Sequence, residues 1–307
     1  MINLPLVSVV IPNYNHARYL GERIQSVLNQ TYQHFELIFL DDCSTDNSRE
    51  VMERYRANEH VSHIVYNDVN SGSTFKQWDK GISLAKGQLI WIAESDDRCE
   101  PTLLEKLVQQ FEKNENLVMA FCKTIAFTND GKEQRLDPLP LLEDNIFEGS
   151  EFISLYMSHG NPVINASSCT FKKDVVLNID RCYETFKGAG DRLFWIEISE
   201  HGKVTVVNEW LNYMRSHANN STKRFNHDGI NQIEDKQILD YIREKGYISP
   251  KRYQQLKHDY VKAHIFEMLT DKPLKQKLYA IWGYNIWDQL SLRLEAWFSK
   301  VCKMIHK

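Results

Sequence analysis

The amino-acid sequence predicts an α/β fold, in which a mainly parallel sheet carries helices on both faces. Two observations lead to this prediction. Short apolar runs rich in β-branched residues alternate with segments whose apolar residues recur at helical spacing, and the alternation occurs four times within about the first hundred residues. Sheets of this kind bind ligands beyond the carboxyl ends of their strands, so the loops after the predicted strands are the first place to look for a site.

Residues 6–55 predict two strand–helix units. Residues 6–11 (LVSVVI) form the continuous run that is typical of a strand buried on both faces. The following helix is predicted by apolar residues at helical spacing, namely Leu20, Ile24, Val27 and Leu28. Residues 35–40 (FELIFL) predict the second strand, and the polar residues 44–47 are suited to cap a helix at 51–55.

Two more strands follow. Residues 61–66 predict the third strand, and residues 89–93 (LIWIA) predict the fourth. The helix between them starts after a turn at 70–72, ends at Gly87 and is marked by Phe75, Trp78, Ile82 and Ala85. The pattern is less regular afterwards, where we expect a strand at 116–127 and a loop at 136–149.

Composition excludes several classes of protein. A chain of 307 residues, 42% of them hydrophobic, can bury one large core with an appendage. The net charge of -4 and the lack of a basic block in the first half argue against a nucleic-acid partner. The six cysteines form no C-x-x-C pair, so we expect neither a structural zinc site nor a disulfide framework.

The same features bear on location. The first residues lack the basic start and cleavage site of a signal peptide, and no uncharged apolar stretch is long enough to span a bilayer. We therefore expect a cytoplasmic protein with reduced thiols.

Acidic residues follow the predicted strands. Asp41 and Asp42 end the second strand, and Glu94, Asp96 and Asp97 follow the fourth. A solvated turn is the alternative for any one Asp-Asp pair, but carboxyl ends of parallel strands share one edge, so these acids should converge. Because crowded carboxylates repel one another, we expect a cation to arrive with the substrate.

The substrate class follows from what the loops lack. No G-x-G-x-x-G follows the first strand, and there is no P-loop sequence, so neither a dinucleotide nor a P-loop nucleotide site is predicted. Carboxylates suit Mg²⁺ or Mn²⁺, whose remaining ligands are then substrate phosphates. The acidic edge thus predicts a metal-bound nucleoside diphosphate.

Four stretches carry a resemblance to a known family. In this order and spacing, the sequence resembles the nucleotide-binding half of family 2 glycosyltransferases, which have the GT-A fold, in VSVVIPNYN (7–15), LDDCSTDNS (40–48), NSGSTFKQWDKGISLAKG (70–87) and IWIAESDD (90–97). The resemblance implies a GT-A catalytic domain over 1–225, with a nucleotide-binding half at 1–100 and an acceptor-binding half at 101–225. The remaining residues, 226–307, form a helical C-terminal extension.

The resemblance also implies residue roles. Asp42 accepts a hydrogen bond from the pyrimidine N–H, which favours a UDP- or dTDP-sugar because N3 of cytosine carries no proton. Asp96 contacts the ribose and Asp97 ligates the metal, whereas Glu94 has no assigned task. The residues expected at the nucleotide are Pro12, Tyr14, Asn15, Asp42, Lys76 and Asp96. For Tyr14 a packing role, and for Lys76 an exposed helix position, are the alternatives.

The expected catalytic base lies in the second half. Asp191 stands behind Gly188 and Gly190 and ahead of an apolar helix, where relatives place their base. The flanking glycines would let an acceptor approach closely. The alternative for Asp191 is an N-cap aspartate, which is a common role at a helix start.

The segment 210–222 resembles the family's closing segment, in which an Arg-x-His follows a strand. The resemblance implies that Arg215 grips the diphosphate and that His217 binds the metal. The two side chains alternate by two, so on an extended chain they share one face. A surface or core histidine is the alternative for His217.

Together these residues imply a metal-dependent, inverting transfer of a sugar to a saccharide or lipid-linked saccharide, in surface polysaccharide biosynthesis. A retaining route would need a carboxylate nucleophile, and the sequence offers none clearly. One alternative is a sugar nucleotidyltransferase, which normally has a glycine-rich basic loop that PNYNHARY lacks. The other is a non-catalytic sugar-nucleotide-binding protein, which would not need Asp191.

The C-terminal residues predict an amphipathic helix. Apolar residues recur every four positions among basic ones, at Leu278, Trp282, Ile286, Leu290, Leu294 and Phe298. Such a helix can pack on the main domain or on a second subunit, as in a homodimer. It can also make peripheral membrane contact through 273–307, which a lipid-linked acceptor would explain.

Overall fold

The computed structural model describes residues 4–137, 146–217 and 225–305, without the side chains of 299–305. The chain divides into two compact units, Met1–Phe186 with Gly190–Asn220, and Lys187–Ala189 with Ser221–Lys307. The described strands all lie in the first unit.

Ten strands form one sheet in the first unit. Their bounds are β1 Val7–Asn13, β2 Phe35–Asp41, β3 Val61–Tyr66, β4 Leu89–Ile92, β5 Arg98–Cys99, β6 Leu117–Phe127, β7 Glu133–Leu136, β8 Ile146–Glu148, β9 Cys169–Lys172 and β10 Lys203–Arg215. The spatial order is β3-β2-β1-β4-β9-β6-β10-β5, with β7 beside β6 and β8 beside β10.

The sheet confirms the predicted fold class. Strands β3, β2, β1 and β4 are all parallel, and β6 and β10 form a second and longer parallel pair. Strand β9 runs antiparallel to both β4 and β6 and so joins the two parallel parts. Strands β1, β2 and β4 are buried along their whole length, which explains why they appear in the sequence as unbroken apolar runs.

Pro12 lies inside the sheet, where a missing N–H normally interrupts pairing. Strand β1 pairs with β4 only as far as Val10, which lies opposite Ile92, and the last three residues of β1 pair with β2 alone. The sheet opens beside Pro12, which leaves a gap at the carboxyl edge.

Seven α-helices lie in the described part of the first unit. Their bounds are α1 Ala17–Leu28, α2 Ser48–Glu53, α3 Thr74–Leu84, α4 Leu103–Lys113, α5 Gly149–Phe152, α6 Lys173–Val176 and α7 Gly190–Ser199. Helix α2 begins before the predicted 51–55, because Asp46 accepts hydrogen bonds from both the backbone and the hydroxyl of Ser48.

The loop predicted at 136–149 is partly wrong. It contains strand β8, which pairs with the start of β10, and the first residue of α5. Residues 138–145 of this segment lie outside the described residues, as do residues 218–222 of the predicted closing segment.

The second unit is helical where it is described. Its main helices are α8 Ile230–Glu244, α9 Pro250–Tyr260, α10 Lys272–Ile281 and α11 Ile286–Ile305. The expected single C-terminal helix is in fact two, α10 and α11. Gly283 separates them with a φ of +66°, and the N–H of Tyr284 bonds to the carbonyl of Tyr279, as in a glycine-terminated helix end.

The predicted apolar stripe divides at this break. Leu278 and Trp282 are buried, and the Trp282 indole stacks on Tyr260 with ring centroids 4.4 Å apart. Ile286, Leu290, Leu294 and Phe298, in contrast, are exposed on α11. Among the residues that the structure describes, no helix is both long and apolar enough to cross a bilayer.

Candidate active site

The loop after β4 turns its acidic residues toward different partners. The Asp97 side chain is buried, with 2% of its surface exposed. Its carboxylate accepts hydrogen bonds from the backbone N–H of Arg215 at 2.9 Å, from the Ser167 hydroxyl at 2.7 Å and from the Asn165 amide. The structure therefore differs from the expectation that Asp97 is a metal ligand, since these donors hold the carboxylate as an anchor of the loop.

Asp96 is the acid that the structure brings beside histidine. Nε2 of His217 lies 3.0 Å from Oδ2 of Asp96, and the His16 ring lies 5.9 Å from that of His217, with its Nδ1 2.9 Å from the Ser95 hydroxyl. One ligand atom from each of His16, Asp96 and His217 can be chosen so that all three lie within 4.8 Å of one another. Two imidazoles and one carboxylate form a donor set that fits a divalent cation.

The three acids also differ in protonation. Burial and the neighbouring charge of Asp96 raise the pKa of Glu94 to about 8, and the same two causes raise the pKa of Asp97 above its ordinary value. Burial alone would raise the pKa of Asp96 too, but the hydrogen bond to His217 and the charges of His16 and His217 lower it. Asp96 therefore ionises more readily than Glu94 or Asp97.

Two arginines supply positive charge that was expected to come only with the substrate. Arg23 is fully buried in α1; its Nε donates to the carbonyl of Glu94 at 3.1 Å, and its charge acts on both Glu94 and Asp97. Arg215 donates from Nε to the carbonyl of Asp96 at 2.8 Å. The protein thus partly neutralises its own acidic loop.

The predicted role of Arg215 at the diphosphate does not fit this arrangement. The side chain is buried, and besides the bond to Asp96 it donates to Asn129 at 2.7 Å and forms an ion pair with Glu22. Its guanidinium also lies over the ring of Tyr19, 4.5 Å from the centroid. A guanidinium committed to these groups fixes the acidic loop instead of facing a ligand.

Glu94, which had no assigned role, is held by two hydrogen bonds. Its Oε1 accepts a hydrogen bond from the Trp78 indole at 2.9 Å, and its backbone N–H donates to the Ser167 hydroxyl at 3.0 Å. Trp78 lies edge-on to Phe75, with centroids 5.2 Å apart. A Cβ added to Gly190 would come within 2.5 Å of the same Phe75 ring. The acidic loop and the start of α7 are therefore joined by one continuous chain of packed side chains.

The candidate base lies in the first turn of α7, not at its N-cap. Oδ2 of Asp191 accepts from the Asn161 amide at 2.9 Å, and Oδ1 accepts from the next backbone N–H, of Arg192, at 2.8 Å. The flanking glycines serve the protein's own packing rather than an acceptor. A Cβ at Gly188 would meet Asn231, and one at Gly190 would meet Phe75 and the carbonyl of Tyr183.

Asp42 lies buried at the end of β2. Its Oδ1 accepts from the Asn67 amide, the Ser71 N–H and the Gln77 amide at 2.7 to 3.0 Å, while its Oδ2 accepts from the Ser71 hydroxyl at 2.7 Å. The loop that carries Ser71 is thereby tied to the carboxyl edge of the sheet.

The other predicted nucleotide residues lie near the end of β1, in the loop after it or on α3. Tyr14 is exposed, and Asn15 adopts a φ of +56° while its amide oxygen accepts from the N–H of Thr45 at 2.8 Å. Pro12 is buried in β1, and Lys76 is exposed on α3. The structure does not bring all of the predicted nucleotide residues into contact with one another.

Comparison with known proteins places this geometry in a family. A sequence model described as glycosyl transferase family 2 matches residues 8–175, which is more than half of the chain. The chain belongs to glycosyl transferase family 2. The matched range contains both His16 and Asp96, and it ends before Asp191 and His217.

Known relatives of this glycosyltransferase are similar to it over different fractions of their own length. An uncharacterised glycosyltransferase of Haemophilus influenzae is 28% identical over 257 residues, 80% of this chain and 77% of the relative. The minor teichoic acid biosynthesis protein GgaB of Bacillus subtilis is 25% identical over 288 residues, 89% of this chain but only 31% of GgaB. This chain thus spans less than a third of GgaB.

A solved structure supports the fold of the glycosyltransferase. The structure of S. aureus TarS residues 1–349 in complex with UDP has a TM-score of 0.63 and 18% identity, and the similarity covers 86% of this chain and 73% of that one. At this identity the likeness supports the GT-A fold alone.

Three residues of the candidate site were not predicted. His16 had a signal, because it lies in the short loop after the first strand and therefore near the carboxyl edge. Arg23 had one as well, since it falls on the apolar stripe of α1, three residues after Leu20 and four before Val27. Asn161, which bonds to Asp191, comes from an irregular segment that gives no periodic signal.

Proposed function

We propose that this family 2 glycosyltransferase moves a sugar from a UDP- or dTDP-sugar to a saccharide or lipid-linked saccharide acceptor, with inversion and with the help of a divalent cation. In this proposal residues 1–225 are the catalytic domain and residues 226–307 its helical extension. The observation that carries the proposal is the group of His16, Asp96 and His217 beside a loop that packed side chains connect to Asp191.

The donor set favours Mn²⁺ over Mg²⁺. Two of the three candidate ligands are imidazoles, and Mg²⁺ prefers oxygen ligands in a strict octahedron, whereas Mn²⁺ accepts nitrogen more readily. When bound, the cation would neutralise charge on the leaving diphosphate. In this proposal Asp97 and Arg215 do not bind the cation. Their hydrogen bonds hold the backbone of the loop that carries Asp96.

Asp42 is the proposed reader of the base. Oδ1 already accepts three protein hydrogen bonds, but Oδ2 accepts only the Ser71 hydroxyl among the bonds of the described residues. Oδ2 therefore keeps a lone pair for the N3–H of uracil or thymine. The UDP bound by TarS supports a uridine donor. We further propose that Pro12, Tyr14, Asn15 and Lys76 line the nucleotide.

Asp191 is the proposed general base. Its Oδ2 would take the proton of the acceptor hydroxyl as that oxygen attacks the anomeric carbon, and the diphosphate would leave from the opposite face. The Asn161 amide and the backbone N–H of Arg192 hold the carboxylate in one orientation, and the N-terminal end of α7 stabilises its charge. One displacement without an enzyme nucleophile gives inversion.

Replacement of Asp191 tests the proposal. We expect Asp191→Asn to lower kcat by about 10²- to 10⁴-fold, because the amide cannot accept the proton, while the affinity for UDP stays the same. The control is Asp174→Asn, since Asp174 also lies in the first turn of a helix and also accepts from the next N–H, at 2.9 Å. Unchanged transfer by Asp191→Asn would favour the non-catalytic binding protein.

The acceptor class is proposed from the teichoic acid relative. GgaB is named for minor teichoic acid biosynthesis, which supports a saccharide or lipid-linked acceptor in polysaccharide biosynthesis. Transfer to a carbohydrate hydroxyl releases UDP, whereas a sugar nucleotidyltransferase releases pyrophosphate. Identification of the released product by chromatography distinguishes the two reactions.

We also propose that α11 contacts an anionic membrane surface. Trp287 and Trp297 are 74% and 57% exposed, on a helix whose exposed apolar residues recur at helical spacing. Residues 272–307 contain seven Lys or Arg and two Asp or Glu, although the whole chain carries a net charge of -4. Positive charge beside exposed tryptophan favours an anionic lipid surface over a second acidic copy of this chain.

Vesicle sedimentation tests this contact. We expect binding to vesicles that contain phosphatidylglycerol, little binding to pure phosphatidylcholine, and loss of binding on deletion of 273–307 or in Trp287→Ala/Trp297→Ala. The control is Leu155→Ala/Leu177→Ala, which removes equally exposed apolar residues elsewhere. Binding that survives the tryptophan replacements contradicts the proposal, and a monomer–dimer change in the same variant would point to a homodimer instead.

A further inference from the structure

One buried carboxylate holds the segment that leads into Asp191. Glu234 of α8 is 7% exposed. Its Oε1 accepts the backbone N–H of Lys187 at 2.7 Å, and its Oε2 accepts those of Gly188 at 2.9 Å and Ala189 at 2.7 Å. We propose that Glu234 is a positioning residue for the transfer reaction, which it serves by fixing the backbone immediately before the base. The inference rests on the proposed role of Asp191.

The three hydrogen bonds that Glu234 accepts hold this short segment strongly. Three consecutive backbone N–H groups that point to one side form a concavity for an anion, and here the protein's own carboxylate fills it. Hydrogen bonds to an ionised carboxylate are shorter and stronger than those between neutral groups. Each N–H of the segment Lys187–Ala189 thus has a charged acceptor, so the segment keeps one backbone conformation.

The segment also fits closely on α8. A Cβ added to Gly188 would come within 1.9 Å of Oδ1 of Asn231, so a larger residue here would displace the Asn231 side chain. Asn231 and Glu234 are three residues apart and therefore lie on the same face of α8. Close packing and three charged hydrogen bonds act on the same residues.

The segment Lys187–Ala189 is joined to the proposed base, Asp191, through the backbone. Only Gly190 separates Ala189 from Asp191 in the sequence, and Gly190 is itself confined by Phe75 and the carbonyl of Tyr183. The backbone of Asp191 is thus restrained on its N-terminal side by the segment that Glu234 holds. Asn161 restrains the carboxylate itself. Glu234 makes no contact with the reacting atoms in this scheme and acts only through the backbone.

The test is Glu234→Gln in the full-length chain. The amide keeps the shape but replaces one acceptor oxygen with an NH2 group, which must face an N–H donor. We expect kcat to fall at least tenfold, while the KM for the nucleotide sugar and the affinity for UDP change less than twofold. Glu234→Asp, which keeps both oxygens, should recover part of the loss. Glu244→Gln on the same helix, where Glu244 is exposed, should leave all values unchanged.

A purely structural role gives a different result. Activity would then fall only in proportion to the folded fraction measured by circular dichroism, and kcat per folded molecule would stay within twofold of the wild type. Either that result or an unchanged kcat overturns the inference. In addition, Glu234→Gln combined with Asp191→Asn should lose no more than Asp191→Asn alone, because both act through the same base.

Failure of the inference is distinct from failure of the proposed function. If Asp191→Asn retains transfer, the proposed base is wrong and the positioning role falls with it. If Asp191→Asn loses transfer but Glu234→Gln does not, the base stands and only the role of Glu234 is refuted.

Discussion

Glu197 should make the stability of the protein depend on pH between 5 and 8. Its side chain is 1% exposed in α7. Oε1 accepts the N–H of Cys182 at 3.3 Å, and Oε2 has no hydrogen-bond partner among the described residues. Burial, assisted by the charge of Asp180, raises the pKa of Glu197 to about 7, from an ordinary value of 4.5.

The sign and size of the effect follow from this pKa. Between pH 4.5 and 7 the folded chain holds a proton that the unfolded chain releases, so the stabilisation is complete below pH 4.5 and disappears as pH rises through 7. The difference between the two pKa values corresponds to about 3 kcal/mol of unfolding free energy. Glu197→Gln is neutral at every pH and should lack this dependence.

Urea unfolding followed by tryptophan fluorescence at pH 5, 6, 7 and 8 measures the effect. We expect the loss of unfolding free energy between pH 5 and pH 8 to be about 2.5 kcal/mol smaller in Glu197→Gln than in the wild type, because part of the effect falls below pH 5. The control is Glu151→Gln, at an exposed position, which should follow the wild type. Equal pH dependence in Glu197→Gln and the wild type would refute the reasoning.

Two paired replacements separate further effects. Gly21→Ala in α1 should stabilise the protein by about 0.5–1 kcal/mol, because nothing lies within 4 Å of the new Cβ. Gly81→Ala in α3 should destabilise the protein by about 1–3 kcal/mol, because the new Cβ would come within 2.3 Å of the Val10 side chain. Thermal unfolding measures both changes. Asp96→Asn should weaken binding of Mn²⁺ in titration calorimetry at nearly constant melting temperature. Asp97→Asn should mainly lower the melting temperature, because its NH2 group replaces an oxygen that accepts from buried donors. Equal effects of the two replacements would contradict the separation of their roles.

The parallel part of the fold was predictable because burial leaves a direct mark on the sequence. Strands covered on both faces need unbroken apolar runs, and residues 6–11, 35–40 and 89–93 are such runs. Strand β8 was missed because its three residues are stabilised by pairing with β10 rather than by an apolar pattern of their own. The break between α10 and α11 was missed because Gly283 interrupts the stripe without changing its spacing.

The sequence predicts that the candidate site lies at the carboxyl edge of the sheet, but it does not predict which contacts each acidic side chain makes there. The sequence places Asp96 and Asp97 side by side and cannot show which of them turns inward. That choice is made by Ser167, Asn165 and the backbone of Arg215, all far from the acidic loop in sequence. His16 joins Asp96 across 80 residues for the same reason, since only the parallel sheet brings the two loops together.

The crowding of acids after β4 can be understood from the partners of each carboxylate. Glu94 is half-buried and Asp97 is buried, both pKa values are raised, and Arg23 lies near both, so neither needs an external cation to be tolerated. Asp96 alone of the three acids has a lowered pKa, because His16 and His217 lie beside it. Asp96 is therefore the acid of the loop that ionises most readily, and its neighbours fix its position. A cation bound there would be held by Asp96 and the histidines, and Asp97 would contribute only through the rigidity of the loop.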